Sequence, residues 1–165
     1  MADSSDVSSL ERVADVLGRH GVEFIVVGGQ AALLHGSPCV TYDIDLCYRR
    51  SQSNLRRLAG ALAELRPALR GAPPDLPFRI DAESLALGCN YTFTTSLGDV
   101  DFLGWLEPLG DYDAIVSRAV TYDIGDLHLK TISLDDLIRI KEHINRPKDR
   151  AAARQLRAIR DLPAD

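Results

Sequence analysis

Residues 7–20 place Val7, Leu10, Val13, Ala14 and Leu17 on one stripe at helical spacing, and Gly21 follows as a stop. The spacing therefore predicts a helix over 7–20. A short β-rich run at 23–27 closes on Gly28-Gly29, and residues 30–35 suit a short helix broken by Gly36-Ser37-Pro38. Residues 41–48 alternate, with Tyr42, Ile44, Leu46 and Tyr48 pointing one way and Thr41, Asp43, Asp45 and Cys47 the other. That is the pattern of a strand with one face in a core. An amphipathic helix is expected over 53–65, and the proline-rich stretch 67–77 reads as a loop. Two strands, 90–96 and 100–105, flank Leu97-Gly98-Asp99 as a hairpin.

A helix at 112–118 and a strand at 127–132 come next. Ser133 suits an N-cap for a helix over 134–144, with Asp135 and Asp136 in its first turn, where the helix dipole favours negative charge. Asn145-Arg146-Pro147 interrupts, and a last helix spans 148–162. Strands and helices are mixed, the helices gathering late, so the class is α+β: a mixed sheet flanked by helices, with a helical C-terminal part from about residue 134. The 165 residues suit one domain, 1–165.

Composition narrows the class of protein. Hydrophobic residues make up 45% and charged residues 26%, the balance of a globular chain able to bury a core. The longest apolar runs fall far short of the ~20 residues of a membrane span, and the first residues lack a secretory leader's basic start and apolar stretch. Cys39, Cys47 and Cys89 are odd in number and lack metal-site spacing, so reduced cysteines in a cytoplasmic protein are expected. His20, His35, His128 and His143 are scattered and read as structural. Trp105 and the tyrosines Tyr42, Tyr48, Tyr91 and Tyr112 read as core or rim.

Net charge is −5, but residues 137–160 alone carry eight basic and two acidic side chains, leaving an acidic body with one basic end. Within that end Arg150, Arg154, Arg157 and Arg160 form one helical stripe. It is either a solvated face or a contact for RNA phosphates or an acidic partner.

Candidate chemistry begins with Asp43 and Asp45. Two apart on a strand, they project from one face about 6–7 Å apart at Cα, and like charges at that spacing need solvent or a shared cation. An exposed polar face is one account. The other is a hard divalent ion, because the acidic strand Asp99-Val100-Asp101-Phe102 can bring a third carboxylate. Gly28-Gly29, between strand and helix, is an ordinary tight turn or one that lets backbone N–H groups approach a phosphate. Lys141, among apolar neighbours, either snorkels to solvent or neutralises a phosphate. Asp149 is either a first-turn acid or part of a site.

Taken in order, Val26-Val27-Gly28-Gly29 followed by Thr41-Tyr42-Asp43-Ile44-Asp45-Leu46 resembles the signature of the DNA polymerase β-like nucleotidyltransferases. The surrounding text, with Gly98-Asp99-Val100-Asp101-Phe102-Leu103, Asp135-Asp136-Leu137-Ile138-Arg139-Ile140-Lys141 and Arg146-Pro147-Lys148-Asp149, is most similar to the AbiEii/MenT-type minimal enzymes associated with toxin–antitoxin pairs. The resemblance covers about residues 10–160.

It implies a nucleotidyltransferase fold and transfer of NMP from an NTP (ATP or CTP) to an acceptor hydroxyl. The acceptor implied is a tRNA 3′ end reached along the basic helix, with a cognate antitoxin as partner. Gly28 and Gly29 would cradle the triphosphate, assisted by Lys141. Asp43, Asp45 and Asp101 would hold Mg²⁺, two ions, and Asp149 would join the site. Asp99 competes with Asp101; Asp101 is preferred because Asp99 falls at the expected turn, where aspartate is ordinary. A protein or small-molecule acceptor such as an aminoglycoside, or a silent member of the fold acting by partner binding, are the alternatives.

Overall fold

The computed structural model describes residues 8–73 and 80–163. Its elements in chain order are α1 (Ser9–Arg19), β1 (Phe24–Val27), α2 (Gly28–Leu34), β2 (Ile44–Tyr48), α3 (Gln52–Leu65), β3 (Ala68–Leu69), α4 (Ala82–Leu87), β4 (Asn90–Thr95), β5 (Gly98–Leu103), α5 (Tyr112–Ile115) with a 3₁₀ turn Val116–Arg118, β6 (Val120–Ile124), β7 (Leu127–Thr131), α6 (Leu134–Ile144) and α7 (Pro147–Arg160). All seven strands form one sheet in the order β3-β4-β5-β2-β1-β7-β6. The β1–β7 and β2–β5 pairs are parallel and the rest antiparallel, so this is the mixed α+β sheet expected.

The helix starts follow local chemistry. Ser8, Ser51 and Ser133 accept the backbone N–H three residues on, satisfying a donor the helix leaves open. Val7, assigned to the first apolar stripe, lies outside the described residues.

In register, Ile44 lies opposite Val100 and Leu46 opposite Phe102. With Tyr48, Phe93, Leu17, Leu58 and Leu62 these fully buried side chains form the core. The ring of Phe102 meets Tyr48 edge-on, centroids 6.3 Å apart. The alternation that buries Val100 and Phe102 turns Asp99 and Asp101 to the opposite face.

Several expectations shift. The second strand starts at Ile44 rather than residue 41, and Tyr42, expected on its apolar face, is 87% exposed. Asp43 therefore stands at the strand mouth. Cys47, expected beside the acids on the polar face, is fully buried, because β2 is a central strand covered on both sides. The loop at 67–77 contains the two-residue strand β3, paired with β4, and its residues 74–77 lie outside the described set. The hairpin turn sits earlier than expected, which places Gly98 and Asp99 inside β5. Elements α4 and β6 carry no strong periodicity over their six and five residues and were not anticipated.

Candidate functional site

The carboxylates converge through strand pairing. Asp45 lies opposite Asp101 across the parallel β2–β5 pair and opposite Val27 across β1, immediately before the Gly-Gly turn. One row across the sheet thus reads Thr92, Asp101, Asp45, Val27. Burial, then the facing Asp101 and the neighbouring Asp43, push the Asp45 carboxyl up to about 6, against a small opposing effect of Lys141. The Oδ1 of Asp101 is buried and accepts no hydrogen bond. Asp99 belongs to the same strand face but lies opposite Thr94, not opposite Asp45. Register, rather than the turn argument, separates the two aspartates.

The glycines are demanded by their surroundings. Gly28 has φ +64, and a Cβ there would collide with the Oδ2 of Asp45. A Cβ on Gly29 would lie 2.9 Å from the Thr41 side chain. Gln30, buried on α2, pins the returning segment by donating to the carbonyls of Thr41 and Asp43 at 3.5 and 3.4 Å. The turn, the threonine and the carboxylates are thus packed without spare room.

Beyond the glycines opens a cavity of about 390 Å³ lined by Gly28, Gly29, Thr41, Lys141, Arg146, Lys148 and Asp149 among others. The Nζ of Lys141 lies 3.6 Å from the Oδ1 of Asp149. Asp149 is fully buried and accepts from the Nε of Arg146 at 2.6 Å and from its backbone N–H at 3.3 Å. The Arg146 guanidinium holds the Asp149 carboxyl below the usual carboxylate range. Asp149 is therefore at once the acid of the first turn of α7 and part of the cavity wall. A larger cavity of about 450 Å³, between α3 and α4, contains none of these side chains.

Sequence reasoning missed Arg70, whose Nη2 lies 2.9 Å from the Oδ1 of Asp101, and Arg146, Gln30 and Thr41 as site residues. Arg146 and Thr41 fell within quoted motifs but were assigned no role. Arg70, in the proline-rich stretch, offered no signal. The basic stripe is more self-contained than its spacing suggested. Arg157 pairs with Glu142 at 2.6 Å, Arg160 with Asp135 at 3.3 Å, and Arg150 donates to the Asn145 carbonyl at 2.7 Å.

Among the described residues no three His, Cys, Asp or Glu side chains form a ready-made metal cluster. Yet a buried carboxylate oxygen without a hydrogen bond, facing a second carboxyl whose charge is disfavoured, is an oxygen-only arrangement short of positive charge. Such a donor set suits a hard divalent ion.

No family model and no curated protein matches the chain. Solved structures do. Lincosamide antibiotic adenylyltransferase LnuA, with lincomycin bound, aligns over 92% of this chain and 96% of its own at a TM-score of 0.60 and 13% identity. The Thermotoga maritima protein TM1012, assigned as a nucleotidyltransferase, aligns over 90% of each chain at 0.53 and 14%. A nucleotidyltransferase-like antigenic protein from Paracoccidioides brasiliensis gives 0.56 and 18%, covering 93% of this chain and 73% of that one. The chain has a nucleotidyltransferase fold. At these identities the likeness extends to the fold and no further, and the AbiEii/MenT-type group is not singled out. No helix among the described residues is long and apolar enough to cross a membrane.

Proposed function

We propose that the protein is a metal-dependent nucleotidyltransferase that moves NMP from an NTP to an acceptor hydroxyl and releases pyrophosphate. The observation that carries this reading is the Asp45–Asp101 pair, set in register beside a Gly-Gly turn that leads into a basic cavity. In it Asp43, Asp45 and Asp101 would hold Mg²⁺, which when bound polarises the α-phosphate and neutralises charge as the oxygens exchange.

The chain's own groups do the rest. Gly28 and Gly29 let the turn close against Asp45 and Thr41, so that its backbone on the cavity wall would meet the triphosphate. Lys141, with Arg146 and Lys148 at the same wall, offsets the charge gathering on the departing pyrophosphate. The acceptor oxygen forms its bond to the α-phosphorus as the bond to the β-phosphate oxygen breaks. The hydroxyl proton passes to a carboxylate of the row, with Asp101 placed for it. Asp149 orients Lys141 and anchors α7.

The sequence resemblance supports a tRNA 3′ end as acceptor and a toxin role with a cognate antitoxin. Pairing of Arg157 with Glu142, and of Arg160 with Asp135 and Asp161, favours a second acceptor class, a small polyhydroxyl compound. The exposed Thr92 and Thr94 beside Asp99 and Asp101 offer such a compound hydroxyls and negative charge, and LnuA acts on a lincosamide. Incubating the protein with each α-labelled NTP, Mg²⁺, total tRNA and a panel of aminoglycosides and lincosamides separates the two. Label on tRNA supports the first acceptor and label on a small molecule the second. Absence of metal-dependent nucleotide binding would refute both and leave a silent fold member.

A further inference from the structure

Arg70 follows the two-residue edge strand β3, and its backbone N–H donates to the Thr92 carbonyl at 3.0 Å, extending the row to Arg70, Thr92, Asp101 and Asp45. From there its side chain reaches along the sheet face. The Nη2 lies 2.9 Å from the Oδ1 of Asp101 and the Nε 3.5 Å from the Oδ2 of Asp99. The hydrogen bond from Nη2, however, goes to the Phe93 carbonyl at 3.0 Å, and the Asp101 oxygen accepts none. Arg70 thus supplies charge to Asp101 without a hydrogen bond to its Oδ1. A permanent partner does both, as Arg146 does for Asp149.

We infer that Arg70 is a resident counter-ion of the carboxylate row that gives way when a divalent cation binds, and so sets how tightly that cation is held. This rests on the reading of the row as a divalent-cation site. A guanidinium and a divalent ion against the same buried oxygen repel each other, so the ion's arrival displaces the arginine. Displacement is easy here. The Arg70 side chain is one-third exposed, β3 is the outermost strand, and Asp99 already stands within reach as an alternative partner. Arg70 therefore acts as a positioning residue: it holds Asp101 in place when the ion is absent, and weakens the ion's hold so that it can exchange.

The test is calorimetric titration of Mn²⁺ into nucleotide-free, full-length protein. Arg70→Gln should bind Mn²⁺ at least about fivefold more tightly than wild type, while Arg70→Lys, which keeps the charge, should stay near wild type. Asp101→Asn, the control, should bind more weakly than wild type. Equal or weaker binding by Arg70→Gln, with wild-type binding intact, overturns the role of Arg70 and leaves the cation site standing. So does an Arg70→Lys that behaves like Arg70→Gln. No Mn²⁺ binding by either wild type or Arg70→Gln overturns the cation site itself. A measurement without variants is the Arg70 Nε–H resonance of wild type, which should shift on saturation with Mg²⁺; an unchanged resonance contradicts displacement.

Discussion

Two groups of acids in this protein, one buried and one half-buried, are treated in opposite ways. In the first turns of α6 and α7, Asp136 meets Arg118 at 2.7 Å and Arg139 at 3.5 Å, and Asp149 meets Arg146 at 2.6 Å and Lys141 at 3.6 Å. Each carboxylate has a cation from its own helix end and a second from another element, and each is about 1% exposed. In the sheet, Asp45 and Asp101 face each other, and the cation in ion-pair contact with Asp101, Arg70, reaches it from the edge, without a hydrogen bond to the buried oxygen. The chain supplies its own counter-charge where a carboxylate serves architecture. Where two carboxyls stand opposed, the guanidinium it supplies makes no hydrogen bond to the buried Asp101 oxygen, and the proposed cation would add the missing charge.

The comparison breaks most visibly in catalysis. Asp45→Asn should reduce labelled nucleotide transfer on the order of 10³-fold, as should chelation of divalent ions, whereas Asp136→Asn should leave the rate per folded molecule close to wild type. A transfer assay on purified, melt-checked proteins reads this contrast. Stability reverses the order. Asp136→Asn strips the buried partner from Arg118 and should cost about 1–3 kcal/mol, measured by urea unfolding. Metal-free Asp45→Asn should gain about 1–2 kcal/mol at pH 7.5, because it removes a charge that burial and Asp101 disfavour.

The pH dependence carries the same sign. The folded protein holds the Asp45 proton to about 6, and the unfolded chain releases it near 4. Folded molecules therefore bind more protons in that window, so this group's contribution to metal-free stability falls as pH rises through it. For Asp149, held below its ordinary value by Arg146, the contribution is present above the usual carboxylate range and is lost only as pH falls through the lowered value. Urea melts from pH 4 to 7 on wild type and Asp45→Asn should differ in slope, the wild type losing more.

A smaller effect tests the cavity. Lys141→Met should raise the nucleotide KM about tenfold with little change in melting temperature, since the Lys141–Asp149 contact is long and Asp149 keeps Arg146. An unchanged KM would remove Lys141 from the phosphate site.

Much of this was legible in the sequence because its cues are local. The Asp43–Asp45 spacing, the Gly28–Gly29 pair and the Ser133 cap each speak within a few residues. The Asp45–Asp101 register was not legible, since it depends on β2 and β5 pairing in parallel across more than fifty residues of chain. Cys47 departs from the alternation because a central strand is covered on both sides, and Tyr42 because the strand begins two residues after it. Arg70 depends on a two-residue strand too short to carry any period.

The most direct measurement is the melting temperature of wild type, Asp45→Asn and Asp101→Asn at pH 7.5, each with and without Mg²⁺. The opposed carboxyls predict that both variants melt above metal-free wild type and that Mg²⁺ raises wild type alone. A wild type indifferent to Mg²⁺, with variants that melt below it, would contradict the account.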